Sequence, residues 1–300
     1  EKLYTTDPNI ETYDNDFYNR TLRQKYIIEC DTERGVSEWY NDDIGLSEVR
    51  KVVSVAKLRK AVGIHNIPNE VLKNEQSIIY LHKLFNKMYS SNLIPSLWRV
   101  AIIKPIPKGS TCDPRVPTQY RGISLLSTVS RLYTAIINNR CVRHMDTTNR
   151  YVDEQNGFRR DRSCVDHIFS LTSIIRNRKL KGLPTFIAYI DAEKAFDRID
   201  RELMLYKLLS NGFSGKLYQA IKCIYNSSTN IININGMFTQ RFASTYGVKD
   251  CLSPTLFGID VNDLVTDLNR SNGGIDIDGR VIHFLLYADD LALIAASEED

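Results

Sequence analysis

Two aspartates stand side by side at 289 and 290, in the run Val281-Ile-His-Phe-Leu-Leu-Tyr-Ala-Asp-Asp-Leu-Ala-Leu-Ile-Ala-Ala296. The apolar stretches on either side read as strands, and the doublet as the turn between them. Two carboxylates ~4 Å apart repel by about 1 kcal/mol in water and several-fold more near a protein interior. Something must compensate them. A third carboxylate, Asp191, closes another apolar stretch, Thr185-Phe-Ile-Ala-Tyr-Ile-Asp191. If the two strands pair, three carboxylates converge on one sheet end and require cations. Mg²⁺ suits such a site, being a hard ion that takes oxygen ligands and shares its sphere with phosphates. Two ions ~3.5–4 Å apart would activate an attacking hydroxyl and stabilise a leaving pyrophosphate. The ordinary alternative is a solvated Asp-Asp turn. Tyr-x-Asp-Asp between apolar strands, with a strand-terminal Asp upstream, weighs towards chemistry.

The elements that would position these groups follow from periodicity and turn residues. Residues 1–45 are acidic and tyrosine-rich and read as a linker with a single helix. Residues 47–60 have apolar residues at helical spacing behind Ser47 as N-cap. Pro68 opens another helix, and a longer one covers 76–90. Residues 98–109 and 120–126 read as strands, 127–145 as a helix, and 156–179 as a basic turn followed by an amphipathic helix with Val165, Ile168, Leu171 or Thr172, and Ile175 on one face. A strand at 185–191, a helix at 201–213 closed by Asn211-Gly212, a hairpin at 230–242 turning on Asn235-Gly236 and a helix at 253–268 follow. Helices on one side of a mostly antiparallel sheet make an α+β fold.

The chain has 300 residues, 43% of them hydrophobic, enough for one large domain or two modest ones. Net charge is only +3, but its distribution is uneven. Residues 1–50 carry 6 Lys/Arg against 12 Asp/Glu, and residues 99–182 carry 16 against 6. A basic middle is the footprint of a nucleic-acid or polyphosphate binder, or simply a basic surface. The six cysteines form no C-x-x-C pair, which argues for free thiols in a reducing compartment. The acidic start excludes a secretory signal at this terminus, and no apolar run reaches ~18 residues. An intracellular protein, cytoplasmic and nuclear, with no membrane partner is expected.

Six segments occur together and in order: Trp98-Arg-Val-Ala-Ile-Ile-Lys-Pro-Ile-Pro-Lys-Gly109, Tyr120-Arg-Gly-Ile-Ser-Leu-Leu126, Asn156-Gly-Phe-Arg-Arg-Asp-Arg-Ser163, Tyr189-Ile-Asp-Ala-Glu-Lys-Ala-Phe-Asp197, Leu252-Ser-Pro-Thr-Leu-Phe257 and Tyr287-Ala-Asp-Asp290. In this the chain resembles the reverse transcriptases of non-LTR (LINE-type) retrotransposons over roughly residues 45–300. The resemblance implies a right-hand polymerase with fingers at 46–184 and palm at 185–300, preceded by the linker at 1–45. The thumb would follow residue 300. It implies Mg²⁺ as two ions, with Mn²⁺ as a substitute, and an RNA template, a DNA primer and dNTPs as partners. An endonuclease and a thumb would be attached in the full-length protein.

Carried over residue by residue, the resemblance makes Asp191, Asp289 and Asp290 catalytic metal ligands, Asp191 and Asp289 most directly. Asp200 reads as an N-cap and Asp197 as support. Phe196 would lie under the sugar of the incoming nucleotide and exclude a 2′-hydroxyl; the usual fate of a Phe is core filler. Lys108 and Arg121, with Lys104 as a possible helper, would grip the triphosphate. Arg159, Arg160 and Arg162 would follow the template, and Tyr287 would pack near the primer end.

Three departures stand out. The family writes roughly G-V-K-Q-G-D-C-L-S-P, whereas this chain has Gly247-Val-Lys-Asp-Cys-Leu-Ser-Pro254, two residues shorter. The shortening should shift the pocket wall or pull on the following helix. His65 replaces the usual Asp and is assigned no role. Asp260 stands where an apolar residue is expected and, if buried and unpaired, would cost several kcal/mol or take up a proton. The leading expectation is an RNA-directed DNA polymerase. The alternatives are a degenerate, inactive relic that still binds nucleic acid, and an RNA-directed RNA polymerase, against which Phe196 argues.

Overall fold

The computed structural model describes residues 14–32, 38–111, 113, 115–270, 273–277 and 279–298. In chain order the helices are α1 (Asn15–Thr32), α2 (Leu46–Val55), α3 (Asn69–Leu72), α4 (Glu75–Ser91), α5 (Thr128–Thr147), α6 (Cys164–Leu180), α7 (Ala195–Arg198), α8 (Arg201–Ser210), α9 (Gly215–Tyr225) and α10 (Ser253–Leu268). The strands are β1 (Val100–Pro107), β2 (Tyr120–Leu125), β3 (Phe186–Asp191), β4 (Thr229–Ile234), β5 (Met237–Phe238), β6 (Phe242–Ala243), β7 (Ile275–Ile277), β8 (Arg280–Ile282), β9 (Phe284–Tyr287) and β10 (Asp290–Ala295). The architecture is α+β, as expected. The chain divides into two compact units, each built from two stretches: Glu1–His144 with Asp197–Ser253, and Met145–Phe196 with Pro254–Asp300.

In the first unit, β2, β1, β4 and β5 lie in that order and β6 pairs with β4. β1 and β2 form the expected antiparallel hairpin, Ile102 opposite Leu125 and Pro107 opposite Tyr120. The hairpin at 230–242 forms as read, but β4 also runs parallel to β1, with Ile103 opposite Ile232. Local periodicity could not show that pairing, which joins strands far apart in sequence. Ala101 and Ile103 form a core on one face with Leu126, Ile232 and Phe242.

The stretch expected to be a linker contributes to this unit. Asp14 Oδ1 accepts from the backbone N–H groups of Asp16 and Phe17, capping α1. Lys25 of α1 pairs with Glu202 of α8, while Glu29 accepts from Lys222 and Tyr218 of α9. Tyr40 and Ile44 are fully buried. The buried Arg140 guanidinium donates to both Glu48 oxygens and to the carbonyls of Tyr40, Asp42 and Asp43, so every donor is satisfied. Residues 1–13 and 33–37 of the expected linker lie outside the described residues.

Helix boundaries moved where a cap lies elsewhere. α2 begins at Leu46, because the Gly45 N–H donates to Glu48 across its first turn, and Ser47 is inside the helix. Pro68 stands before α3 rather than in its first turn. Asn74 caps α4 by accepting from Ser77 N–H. Asp200 caps α8 by accepting from the Glu202 and Leu203 N–H groups, as the sequence implies. Helix α9 follows in the stretch after Gly212, which the sequence reading left without an element.

In the second unit, β3, β10 and β9 form one antiparallel sheet and β7 pairs with β8. Phe284, Leu286 and Leu291 pack with Val265 of α10. Ile294 packs with Ile174 of α6 and Ile275 of β7. The α6 face expected to be apolar is mostly turned to solvent: Val165, Ile168 and Ile175 are exposed, and Ile174 is the buried residue. Of the expected face, Leu171 is half-buried and packs with Ile174 on the same cluster.

Candidate active site

Strand β10 pairs with β3 in a register that sets Asp290 opposite Asp191. On its other side β10 pairs with β9, setting Asp290 opposite Tyr287. Directly opposed residues in antiparallel strands project to the same face. Asp191, Asp290 and Tyr287 therefore form one row across the sheet tip. Asp289 sits beside the row in the two-residue turn Ala288-Asp289. The sequence reading ranked Asp289 ahead of Asp290; the strand register pairs Asp290 with Asp191. Asp191 and Asp290 are exposed, Asp289 is half-buried, and Tyr287 is 37% exposed.

The turn is held from outside the hairpin. Gln155, almost fully buried, donates from Nε2 to the Ala288 carbonyl at 3.1 Å, and its Oε1 accepts from the Ala288 N–H at 2.9 Å and the Gly157 N–H at 2.7 Å. Backbone bonds from Asn156 N to Leu286 O and from Leu286 N to Glu154 O, each 3.0 Å, lay residues 154–156 along β9. A Cβ at Gly157 would overlap the Ala288 backbone nitrogen, so only glycine permits this approach. Ala288 itself has φ +57°, in the left-handed region. Gln155 escaped the sequence reading. The Asn156-Gly157 dipeptide signalled a turn, but not what the turn packs on.

Phe196, in α7, is half-buried, stacked on Phe257 with centroids 4.5 Å apart and edge-on to Phe158 at 5.9 Å. Among the three template candidates, Arg159 is committed inward: it donates to the Val152 carbonyl at 2.8 Å and lies over the Tyr151 ring. Arg160 is exposed, and Arg162 is partly exposed and pairs with Asp153 at 3.2 Å. Lys108 and Arg121 belong to the first unit, both exposed on the β1–β2 hairpin. The Lys108 N–H bonds the Gln119 carbonyl at 2.9 Å, and Arg121 lies opposite Ile106.

The shortened segment after Gly247 lies in the first unit and turns inward. Gly247, at φ +79°, lies so close to the Asp197 backbone that a Cβ would overlap it. Arg201 fixes this stretch: its buried guanidinium donates to the carbonyls of Gly247, Tyr246, Ser244 and Tyr225 and to the hydroxyls of Ser228 and Ser244. Burial without a carboxylate partner lowers its pKa to about 10. Lys249 is half-buried and its Nζ donates to Asn230 Oδ1; loss of solvent and the nearby Arg201 push its pKa down to about 7. Asp250, at φ +73°, is half-buried and accepts from Thr134 Oγ1, and loss of solvent around its carboxyl raises its pKa. Asp260 is likewise half-buried.

Among the described residues, no group of three or more His, Cys, Asp or Glu side chains is gathered closely enough to hold an ion unaided. The row at the sheet tip nonetheless fits a hard divalent cation, because Mg²⁺ is commonly held by one or two carboxylates, with phosphates and water completing its sphere. Of the cysteines, Cys30, Cys141, Cys164, Cys223 and Cys251 are free thiols, and Cys112 lies outside the described residues. Among the described residues no helix is long and apolar enough to cross a membrane.

A family model described as reverse transcriptase (RNA-dependent DNA polymerase) matches residues 106–300, about two thirds of the chain, which belongs to that family. The chain is similar to the probable RNA-directed DNA polymerase from transposon BS of Drosophila melanogaster, 28% identical over 258 residues, covering 85% of this chain and 28% of that protein. It is also similar to the RNA-directed DNA polymerase from mobile element jockey of the same organism, 25% identical over 260 residues with the same coverages. A third relative is the retrovirus-related Pol polyprotein from type-2 retrotransposable element R2DM, again of Drosophila melanogaster, 26% identical over 215 residues, 71% of this chain and 20% of that protein. A solved structure of apo telomerase from Candida tropicalis, truncated from its C-terminal domain, aligns with a TM-score of 0.46 at 13% identity, over 73% of this chain and 50% of that chain. The chain spans about 28% of the length of the first curated relatives it matches. The resemblance to non-LTR retrotransposon reverse transcriptases is borne out by the family match and these relatives.

Proposed function

We propose that this chain carries the fingers and palm of an RNA-directed DNA polymerase that extends a DNA primer on an RNA template with dNTPs. The observation that carries this reading is the register setting Asp191 opposite Asp290 beside the Asp289 turn. Asp191, Asp289 and Asp290 would hold two Mg²⁺ ions, or Mn²⁺ in their place, which when bound favour the ionised primer hydroxyl and stabilise the departing pyrophosphate. In the reaction the primer 3′-oxygen bonds to the α-phosphorus, the bond to the bridging oxygen breaks, and pyrophosphate leaves. Lys108 and Arg121 orient the triphosphate by charge and by forked hydrogen bonds. Phe196, steadied by its stack on Phe257, limits the space beside the sugar. Arg160 and Arg162 contact template phosphates, and Arg159 shapes the loop that carries them. Tyr287 packs beside the primer end. Residues 46–184 would act as fingers and 185–300 as palm, with an endonuclease and a thumb elsewhere in the full-length protein.

The test is extension of a primed RNA template by Asp289→Asn and Asp290→Asn. Both variants are expected to lose extension while binding the heteroduplex with unchanged affinity. Normal extension by both would overturn the assignment. A second reading, an inactive nucleic-acid-binding relic, is favoured by the half-buried Lys249 and Asp250 of the shortened segment, whose charged forms are disfavoured there. Insertion of Gln-Gly between those residues separates the two: extension that appears only after insertion identifies the present chain as inactive.

A further inference from the structure

Helix α6 meets the sheet of the second unit along one face, and that face changes character along the helix. Leu171 and Ile174 pack in an apolar cluster with Ile294 and Leu285. One turn nearer the start of the helix, at i, i+4 and i+7 spacing with those two, the same face carries His167. Its ring is half-buried. Nε2 lies 3.0 Å from the Leu286 carbonyl of β9, and Asn156 Nδ2 lies 3.2 Å from Nδ1. A carbonyl can only accept, so Nε2 carries the proton; Nδ1 of the neutral ring is then an acceptor, and the Asn156 amide donates to it. Asn156 is 2% exposed, and its Oδ1 has no partner among the described residues, so the bond to the ring is what orients this amide. Across the first turn of α6 the Ser163 N–H donates to Asp166 Oδ2 at 2.7 Å, which fixes the helix start that presents His167.

We infer that His167 is a positioning residue: by donating to the Leu286 carbonyl it fixes the end of β9 and so places Tyr287, Asp289 and Asp290 for the reaction. That carbonyl also accepts from the Asn156 N–H at 3.0 Å, so His167 occupies its second lone pair. Two residues on, the Ala288 carbonyl is gripped by Gln155. The backbone leading into the aspartate doublet is thus held at two points, one from α6 and one from the 154–157 segment. An apolar side chain at 167 would continue the packing face of α6 but leave the first point slack. Misplacement by a single ångström can cost a reaction about 100-fold, so a loose strand tip is enough to matter. The role in turnover rests on the polymerase reading; the contacts rest on the structure.

Steady-state extension of a primed RNA template by three variants tests this, with heteroduplex binding and thermal unfolding measured alongside. Gln sets its amide donor where Nε2 stands, Asn sets it where Nδ1 stands, and Leu supplies no donor. His167→Gln is expected to keep kcat within about 3-fold of the unaltered chain, and His167→Asn and His167→Leu to lower it about 10- to 100-fold, with KM for dNTP and heteroduplex affinity unchanged in all three. A side chain that merely filled space would rank Leu level with Gln or above it. Should His167→Leu fail to fold, the comparison of Gln with Asn decides. Nitrogen NMR of the histidine rings, with the His167 signals assigned by their absence from His167→Gln, is expected to show the Nε2–H tautomer. The Nδ1–H tautomer would leave no donor for Leu286 and overturn the inference by itself. If Asn and Leu extend like the unaltered chain, or if Gln loses as much as Asn, the inference is overturned while the polymerase reading stands. If the unaltered chain does not extend the primer, the polymerase reading falls and the role of His167 falls with it.

Discussion

Ala288 occupies a backbone conformation that costs an L-residue about 1–2 kcal/mol, and it does so between Tyr287 and the aspartate doublet. Strain of this kind persists where the surroundings over-determine the backbone, here through both hydrogen bonds to Gln155. Ala288→Gly is expected to keep or slightly raise thermal stability. Ala288→Val should lower it by about 1–3 kcal/mol and depress primer extension, since a β-branched residue tolerates positive φ least. Thermal unfolding beside extension assays checks both.

Lys249 and Asp250 make opposite contributions to stability as pH changes. Lys249 titrates lower in the folded state, about 7 against an ordinary 10.5, so the unfolded chain binds more protons between those values and stability rises with pH across that window. Asp250 titrates higher when folded, so the folded chain binds more protons and stability falls as pH rises above its ordinary 3.8. At neutral pH both burials oppose folding. Lys249→Met is expected to abolish the gain above pH 7, and Asp250→Asn to stabilise at pH 7, each by roughly 1–3 kcal/mol. Urea unfolding at a series of pH values reads both slopes.

At the scale of elements, the β9–β10 hairpin was legible and its partner was not. Two apolar runs around Asp289-Asp290 announce a tight turn. The pairing with β3 was only a condition stated from chemistry, because register between strands about a hundred residues apart leaves no local trace. The β1–β4 pairing was hidden for the same reason. The α6 face was only partly read: Val165, Ile168 and Ile175 have the right spacing but are exposed, while Ile174 and, of the expected face, Leu171 pack on the sheet. The Gln155 clamp links the 154–157 segment to the turn. Gln155→Leu would leave the Ala288 N–H and C=O and the Gly157 N–H without their partner. We expect a loss of about 2–3 kcal/mol in unfolding free energy and a larger fractional loss of extension than of heteroduplex binding.

At the scale of the whole molecule, net charge says little and its placement says more. The surplus of Lys and Arg over residues 99–182 should make heteroduplex binding strongly dependent on salt, falling about tenfold or more between 50 and 200 mM. A binding isotherm at each salt concentration checks this. Family membership was visible from six short segments that occur together and in order. The division into two interleaved units was not visible, since compactness depends on which distant stretches meet.

The terminal place of β3 in its sheet carries a practical corollary. Among the described residues this strand pairs on one side only, and Tyr189 and Ile190 are exposed. Phe186-Ile-Ala-Tyr-Ile contains no proline and no charge, so Asp191 alone discourages another copy from zipping onto the free side. The carboxylate proposed above as a metal ligand would thus double as a guard against clumping. An Asp191→Asn protein should scatter more light on concentration than Asp289→Asn, and its inactivity would then mix two causes.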